Sequence, residues 1–435
     1  MVGAGPAGGM AALTAARAGL RVALVEEHRE IGSPVHCSGK LQVHAFREFD
    51  LPAHLILNTL RAGAFYAPDG SVARVRRAQP DSHVVDRAVF DRWLGEQAQR
   101  SGADLIPGTR LSSVERRNGV MQLRGQRNGQ RVSLSAALVV DAEGARPVLP
   151  ASLGVRLPRA YVLGLQYEMA GVALDEEDCP EIYLGRTYAP GFFAWLMPIG
   201  GRRARVGLCV DPRLARAAPR SYLERLIREH PVASRRLRGA VIERRLAGPI
   251  PILGARRPSV LDRMLLVGDA AGQVKATSGG GIYFALIAGR LAGQAAQRFL
   301  GGEGGALRWY EIEWRRRFGR ELWATTFARL TVNHMTDAEL NAFVGALGED
   351  ERFRRIVEAR GDTAYQSRLV APAMAAVLRW SLARPLRAVL IKALWHGLPA
   401  LWDGSPHTPS HAAQRSAQRR RDEGPEEKPE EEGKL

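Results

Sequence analysis

An α/β fold, in which a parallel-sheet nucleotide-binding domain is interrupted by an inserted β-sheet and followed by a helical carboxy-terminal region, is predicted by three stretches. The first is GAGPAG at residues 3–8, ahead of a small-residue helical run and the buried strand LRVALVEE. The second is the β-rich text from about residue 161 to 210. The third is RMLLVGDAAG, which returns at residue 263 to a buried strand and a glycine turn.

Gly3, Gly5 and Gly8 spell G-x-G-x-x-G. In such a turn the first glycine permits the tight bend, the second lets backbone approach a phosphate, and the third lets helix and strand pack closely. The helix that follows offers free N–H groups and a positive dipole end to an anion. Glu26 closes the next strand, where a carboxylate accepts hydrogen bonds from the ribose hydroxyls of an adenine nucleotide. Only Met1 and Val2 precede the turn, whereas a full first strand needs about five residues. The pattern therefore predicts further residues upstream of Met1 in the complete protein.

A helix is predicted over residues 87–101, stopped by Gly102 and followed by the strand ADLI. A hairpin then feeds an apolar strand at residues 137–140, and YVLGLQYEMAG, EIYLG, FFAWLMPIG and RARVGLCV read as strands of a second sheet. After residue 263 a helix is expected from about 281 to 299, and beyond 305 the text is helical and rich in tryptophan and arginine. From about Asp403 apolar periodicity is lost, which predicts a disordered tail. The resulting division is residues 1–160 for the first part of the nucleotide domain, with elements of the inserted sheet at about 42–82. The inserted sheet takes 161–255, the second part of the nucleotide domain 256–302, the helical region 303–402 and the tail 403–435.

The third stretch narrows the nucleotide. Asp269 ends a strand, and Gly279, Gly280 and Gly281 stand just before a helix, with Ile282 following them. A carboxylate there can hold a ribityl hydroxyl, and the glycines let backbone approach a phosphate or a flat ring without side-chain obstruction. Two such turns at opposite ends of one domain suit FAD, which is long and bound extended.

Composition limits the remaining classes. The 435 residues are 46% hydrophobic and 25% charged, ordinary for a globular chain, but the formal net charge is +17. Arginine supplies most of it along nearly the whole length. No helix-turn-helix, RNA-recognition or zinc-finger signature accompanies the charge, so nucleic acid is not the expected partner. An anionic membrane surface or a phosphorylated substrate fits, and so does arginine-rich coding bias. Cys37, Cys179 and Cys209 have no metal-ligand spacing, and no metal is expected. No secretory signal or membrane-spanning stretch is visible, so the expected location is cytoplasmic, at most peripheral at the inner face of the membrane.

Beyond these turns, the stretches EEHREIGSPVHCSGKL, DRAVFDRWLGEQAQRSGA, VVDAEGARP, FFAWLMP and GDAAGQVKATSGGGI resemble the geranylgeranyl reductase family, within the FAD enzymes related to p-hydroxybenzoate hydroxylase. EIGSPVHC and F-x-W-x-M-P are the more specific of them. The resemblance implies FAD contacts at Ala7, Glu26, Arg87, Asp269, Gly281 and Ile282, and a backbone contact to the adenine half at Leu111. It places Cys37 and Ser38 on a loop beside the flavin ring, with Cys37 near the reacting alkene as a catalytic residue. It puts Phe193, Trp195 and Pro198 in the wall of a hydrophobic substrate tunnel. The sequence departs from the family pattern at Lys40, Glu143, Met197 and Ala276.

The implied activity is saturation of carbon–carbon double bonds in a polyprenyl lipid or quinone side chain by hydride from reduced flavin. NADPH or a ferredoxin-type donor is the implied reductant, and a monomer or homodimer the expected assembly. A flavin monooxygenase or halogenase shares the fold and both turns, and an electron-transfer flavoprotein serving quinone is a further alternative. The segment LVAPAMAAVLRWSLARPLRAVLIKALWHGLPALW, with Arg379, Arg384, Arg387 and Lys392, suits either a membrane interface or packing on the protein's own core.

Overall fold

The computed structural model describes residues 1–252, 256–380 and 391. The expectations for Arg384, Arg387, Lys392 and the tail from residue 403 lie outside the described residues.

The nucleotide-type domain forms because short apolar strands alternate with small-residue helices. Val22–Val25 pairs in parallel with Ala103–Ile106, and Val139–Asp141 in parallel with Met264–Leu266, which continues antiparallel to Val260–Leu261. Val2 joins the two halves through parallel bridges to Val25 and Asp141. Its N–H donates to Val140 O and its carbonyl accepts from Ala142 N, at 2.9 and 2.8 Å. Val2 therefore occupies the middle position of the sheet.

The helices Pro6–Arg17 and Ile282–Leu300 pack on one another where neither carries bulk. A Cβ on Gly289 would stand 2.3 Å from Ala7 O, and one on Gly293 would stand 2.6 Å from Thr14 Cβ. Phe90 and Leu94 of the helix Arg87–Arg100 fill the same core with Phe284, Trp314 and Phe318. The carboxy-terminal helices are tied to this domain by buried polar groups: Tyr310 Oη donates to Leu266 O at 2.8 Å, and Trp314 Nε1 to Ser259 Oγ at 2.9 Å. The helix Ala306–Trp314 runs through a π segment, Arg315–Gly319, into Arg320–Asn333.

The second sheet has seven strands in the order Val241–Pro251, Tyr161–Ala170, Arg203–Val210, Ala194–Gly200, Glu181–Tyr183, Ala62–Tyr66, Val72–Arg76. One face is covered by the helix Pro219–Glu229, whose Leu223 and Leu226 pack against Val206 and Leu208. Lys40–Gln42, Ser82–Val85 and Ile56–Leu60 form a three-stranded antiparallel sheet with Ser82–Val85 in the middle. A separate antiparallel sheet, Thr109–Arg117, Val120–Arg127 and Gln130–Ala136, includes the predicted hairpin.

Candidate functional site

The glycine turn is built by close approach. Gly3 has φ +92°, and a Cβ there would stand 2.4 Å from Ala142 O, while one on Gly8 would stand 1.8 Å from Gly3 O. A Cβ on Gly5 would meet nothing within 4 Å. Gly3 and Gly8 are thus required by the protein's own packing, whereas the open side of Gly5 faces space at the start of a helix. The first bond of that helix is Gly9 N to Gly5 O, 2.8 Å, so the preceding amides have no partner within the helix.

Glu26 sits over the same turn. Its Oε2 accepts from Ala4 N at 2.7 Å, and its Oε1 accepts from His28 N at 3.0 Å and pairs with His28 Nδ1 at 2.6 Å. Oε2 keeps a further lone pair for a hydroxyl, whereas both lone pairs of Oε1 are taken up by His28. Leu111 lies near this end, since Thr109 N donates to Glu26 O at 2.8 Å. The Leu111 side chain is buried with Val2, Val25 and Val114, at a bulge in its strand.

The second turn abuts the first. A Cβ on Gly268 would stand 3.0 Å from Ala7 Cβ, and one on Gly281 would stand 3.4 Å from Asp269 Oδ1. Gly281 caps the helix that starts at Ile282, whose first bond is Ala285 N to Gly281 O, 2.8 Å. Burial raises the Asp269 carboxyl above its usual range, opposed by the positive charges of Arg87 and Arg257.

Arg87 is the charged pivot of the site. It makes a bidentate pair with Asp91, at 2.7 and 3.1 Å, one helical turn on. Burial pulls its pKa down, but Asp91 and Cys37 beside it more than offset this and hold the guanidinium charged. The helix is started by Asp86, whose carboxylate accepts from Ala88 N at 2.9 Å. Gly32 presses against the Ala88 backbone, and Ile31 is buried in the same core, so the loop ending at Cys37 and Ser38 rests on this helix start.

The seven-stranded sheet grips that loop from the other side. Gln166 Nε2 donates to Cys37 O at 3.4 Å, and Arg205 Nη1 to Ser38 O at 2.8 Å and Val85 O at 3.2 Å. Trp195 Nε1 donates to Gln166 Oε1 at 3.1 Å. Phe193 meets Trp195 edge to face with centroids 5.9 Å apart, and Phe192 touches the position a Gly279 Cβ would take. The aromatic wall therefore runs from the second glycine turn to the cysteine loop.

Pro198 is the expected wall residue that does not join this group. Strand side chains alternate between faces, so Pro198 lies with Ala194 and Leu196 on the face opposite Phe193, Trp195 and Met197. Its partner across the strands is Ala204, in the core under the helix Pro219–Glu229. Met197 instead packs with Trp195, Leu60 and Val84. The substitution at Glu143 is accommodated locally, with Oε2 accepting from Val148 N and Leu149 N at 3.0 Å each. Lys40 reaches Asp81 at 3.4 Å.

Sequence reasoning missed Gln166, Glu168, Arg205, Arg257 and Lys275, all buried. Gln166 and Glu168 are polar groups in an apolar strand, which was a usable signal. Arg257 donates to Asp269 O and Ala270 O at 3.0 Å each and to Tyr161 Oη at 2.9 Å, bracing the second turn. Lys275 donates to Thr363 O, and burial lowers its pKa to about 8. Among the described residues there is no cluster fit for a metal ion and no helix long and apolar enough to cross a membrane.

Residues 1–152 match the family of FAD dependent oxidoreductases, and residues 161–247 match the geranylgeranyl reductase catalytic domain. The digeranylgeranylglycerophospholipid reductase of Methanocaldococcus jannaschii is 31% identical over 357 residues, 80% of this chain and 90% of the relative. A solved geranylgeranyl bacteriochlorophyll reductase-like protein from Thermoplasma acidophilum superposes with a TM-score of 0.78 at 25% identity, covering 90% of this chain and 98% of its own. The p-nitrophenol 4-monooxygenase of Pseudomonas putida superposes at 0.65 with 17% identity, covering 82% and 95%, which marks a shared fold.

Proposed function

The chain belongs to the geranylgeranyl reductase family, and we propose that it is an FAD-dependent reductase that saturates carbon–carbon double bonds in a polyprenyl chain carried by a lipid or quinone. The residues present fit FAD. Gly5 leaves open space where backbone would approach a phosphate, Glu26 follows the strand Val22–Val25, Asp269 sits in the 3-10 turn Gly268–Ala271 after the strand Met264–Leu266, and each glycine turn leads into a helix amino terminus. When bound, FAD would supply the hydride in its reduced form.

The chain's own residues would divide the remaining work. The Gly3–Gly8 turn, Ala7 and Glu26 would hold the adenine half, with Leu111 backbone beside it. Asp269, Gly280, Gly281 and Ile282 would hold the ribityl and phosphate part, and Arg87, Cys37 and Ser38 the ring end. Phe193 and Trp195 would orient the alkene and exclude water from it. Cys37 would hold or donate a proton at Sγ. NADPH is the proposed reductant, with a ferredoxin-type donor as the other candidate. Any membrane contact would be peripheral.

The observation that carries this reading is the continuous wall of Phe193 and Trp195 that ends, through Gln166, at the Cys37 loop next to Arg87. Lipid extracted from purified protein and analysed by mass spectrometry tests it. A polyprenyl compound whose mass rises by hydrogen pairs after incubation with reductant supports the reading; an extract with no polyprenyl compound, and no conversion of added ones, refutes it.

A further inference from the structure

Gln166 is 5% exposed and has two polar partners that belong to different parts of the molecule. Its Oε1 accepts from the Trp195 indole at 3.1 Å, and its Nε2 faces Cys37 O at 3.4 Å. The amide orientation is dictated by its neighbours: an indole N–H can only donate and a carbonyl can only accept, so the oxygen must face Trp195 and the nitrogen Cys37. The ring it serves is itself confined. A Cβ on Gly207, on the neighbouring strand, would stand 2.6 Å from Trp195 Cζ2, so the indole fills the room that glycine leaves.

We propose that Gln166 is a positioning residue that couples the Trp195 indole to the Cys37 loop, so that the tilt of the aromatic wall and the placement of the thiol are set together. Gln166 meets Cys37 at its backbone carbonyl and not at Sγ. Its effect passes through one indole hydrogen and one peptide carbonyl. The consequence for polyprenyl selection rests on the reductase reading above, but the coupling itself does not. A substrate chain that shifts the indole would also shift the loop carrying Cys37.

The test uses the FAD-loaded full chain and the rate at which Cys37 reacts with a small maleimide. Cys37 is the partly exposed thiol, whereas Cys179 and Cys209 are buried, with pKa values pushed up to about 12 by burial. Trp195→Phe keeps an aromatic ring but removes the donor together with part of the indole's bulk; Gln166→Leu removes both contacts. Each is expected to speed labelling of Cys37 several-fold, and the double variant to label no faster than Gln166→Leu alone, because coupled residues are non-additive. With a polyprenyl substrate, both variants should raise KM more than they lower kcat. Wild-type labelling in Trp195→Phe overturns the proposal, as does a double variant whose increase is the product of the two singles. If Gln166→Leu does not fold, Trp195→Phe decides alone. Absence of turnover with normal coupling would count against the reductase reading and leave the coupling in place.

Discussion

Arg205 Nη1 donates to Ser38 O at 2.8 Å, across 167 positions of sequence, while Glu168 holds the Arg205 Nε at 2.9 Å on the adjacent strand. Both charged groups are buried, at 3% and 7% side-chain exposure. An arginine whose charge is neutralised in the sheet and whose Nη1 donates to Ser38 O and to Val85 O acts as a rivet between the sheet and the cysteine loop.

Breaking a buried pair from one side leaves an uncompensated charge. Glu168→Gln is expected to lower stability by about 3 kcal/mol, read by urea denaturation of the FAD-loaded protein. Arg205→Met should cost a similar amount and also loosen the loop, raising the dissociation rate of flavin.

Gly5 and Gly8 separate folding from cofactor binding. A methyl on Gly5 meets nothing within 4 Å, so Gly5→Ala should change stability of the flavin-free protein by less than about 0.5 kcal/mol. Flavin affinity should nevertheless fall at least tenfold, since the methyl would occupy the phosphate approach. Gly8→Ala collides with Gly3 O and should fail to accumulate as folded protein. Isothermal titration with FAD and thermal unfolding distinguish the three proteins.

These turns were legible because their requirements are local. Three glycines, a helix start and a strand-end carboxylate lie within the first 26 residues, and Asp269 with Gly281 spans a dozen. The clasp of the cysteine loop was not legible. Gln166 and Cys37 are separated by 129 positions, and only the packing of the cysteine loop against the seven-stranded sheet brings them together. Pro198 shows the converse: a motif read as one surface is split by strand alternation, with Phe193 and Trp195 on one face and Pro198 on the other.

Gly207 leaves room for the wall. Its Cβ position is 2.6 Å from Trp195 Cζ2 and 2.8 Å from Leu165 O. Gly207→Ala should therefore tilt the indole, and kcat/KM for a polyprenyl substrate should fall about tenfold, about 1.4 kcal/mol, with the flavin spectrum of the bound cofactor preserved. Steady-state kinetics beside an absorbance spectrum measures both.

Lys275 gives the fold a pH signature. Burial lowers its folded pKa to about 8 from an ordinary 10.5, so between these values the unfolded chain binds the extra proton. Stability from this group therefore rises with pH across that window, by about 3 kcal/mol at most. Lys275→Met removes the titration. The stability difference between wild type and variant, measured by denaturation at pH 7.5 and pH 10, should shift in favour of wild type at the higher pH; an unchanged difference contradicts the assignment.

The central claim is that this site passes hydride to an alkene. The direct measurement is anaerobic: FAD-loaded protein is reduced with one equivalent of dithionite, mixed with a geranylgeranyl lipid, and followed by flavin absorbance and product mass. Reoxidation of the flavin without oxygen, with one double bond saturated per flavin, is the predicted result. Flavin that stays reduced until oxygen is admitted, and then yields a hydroxylated or halogenated product or only peroxide, would contradict it.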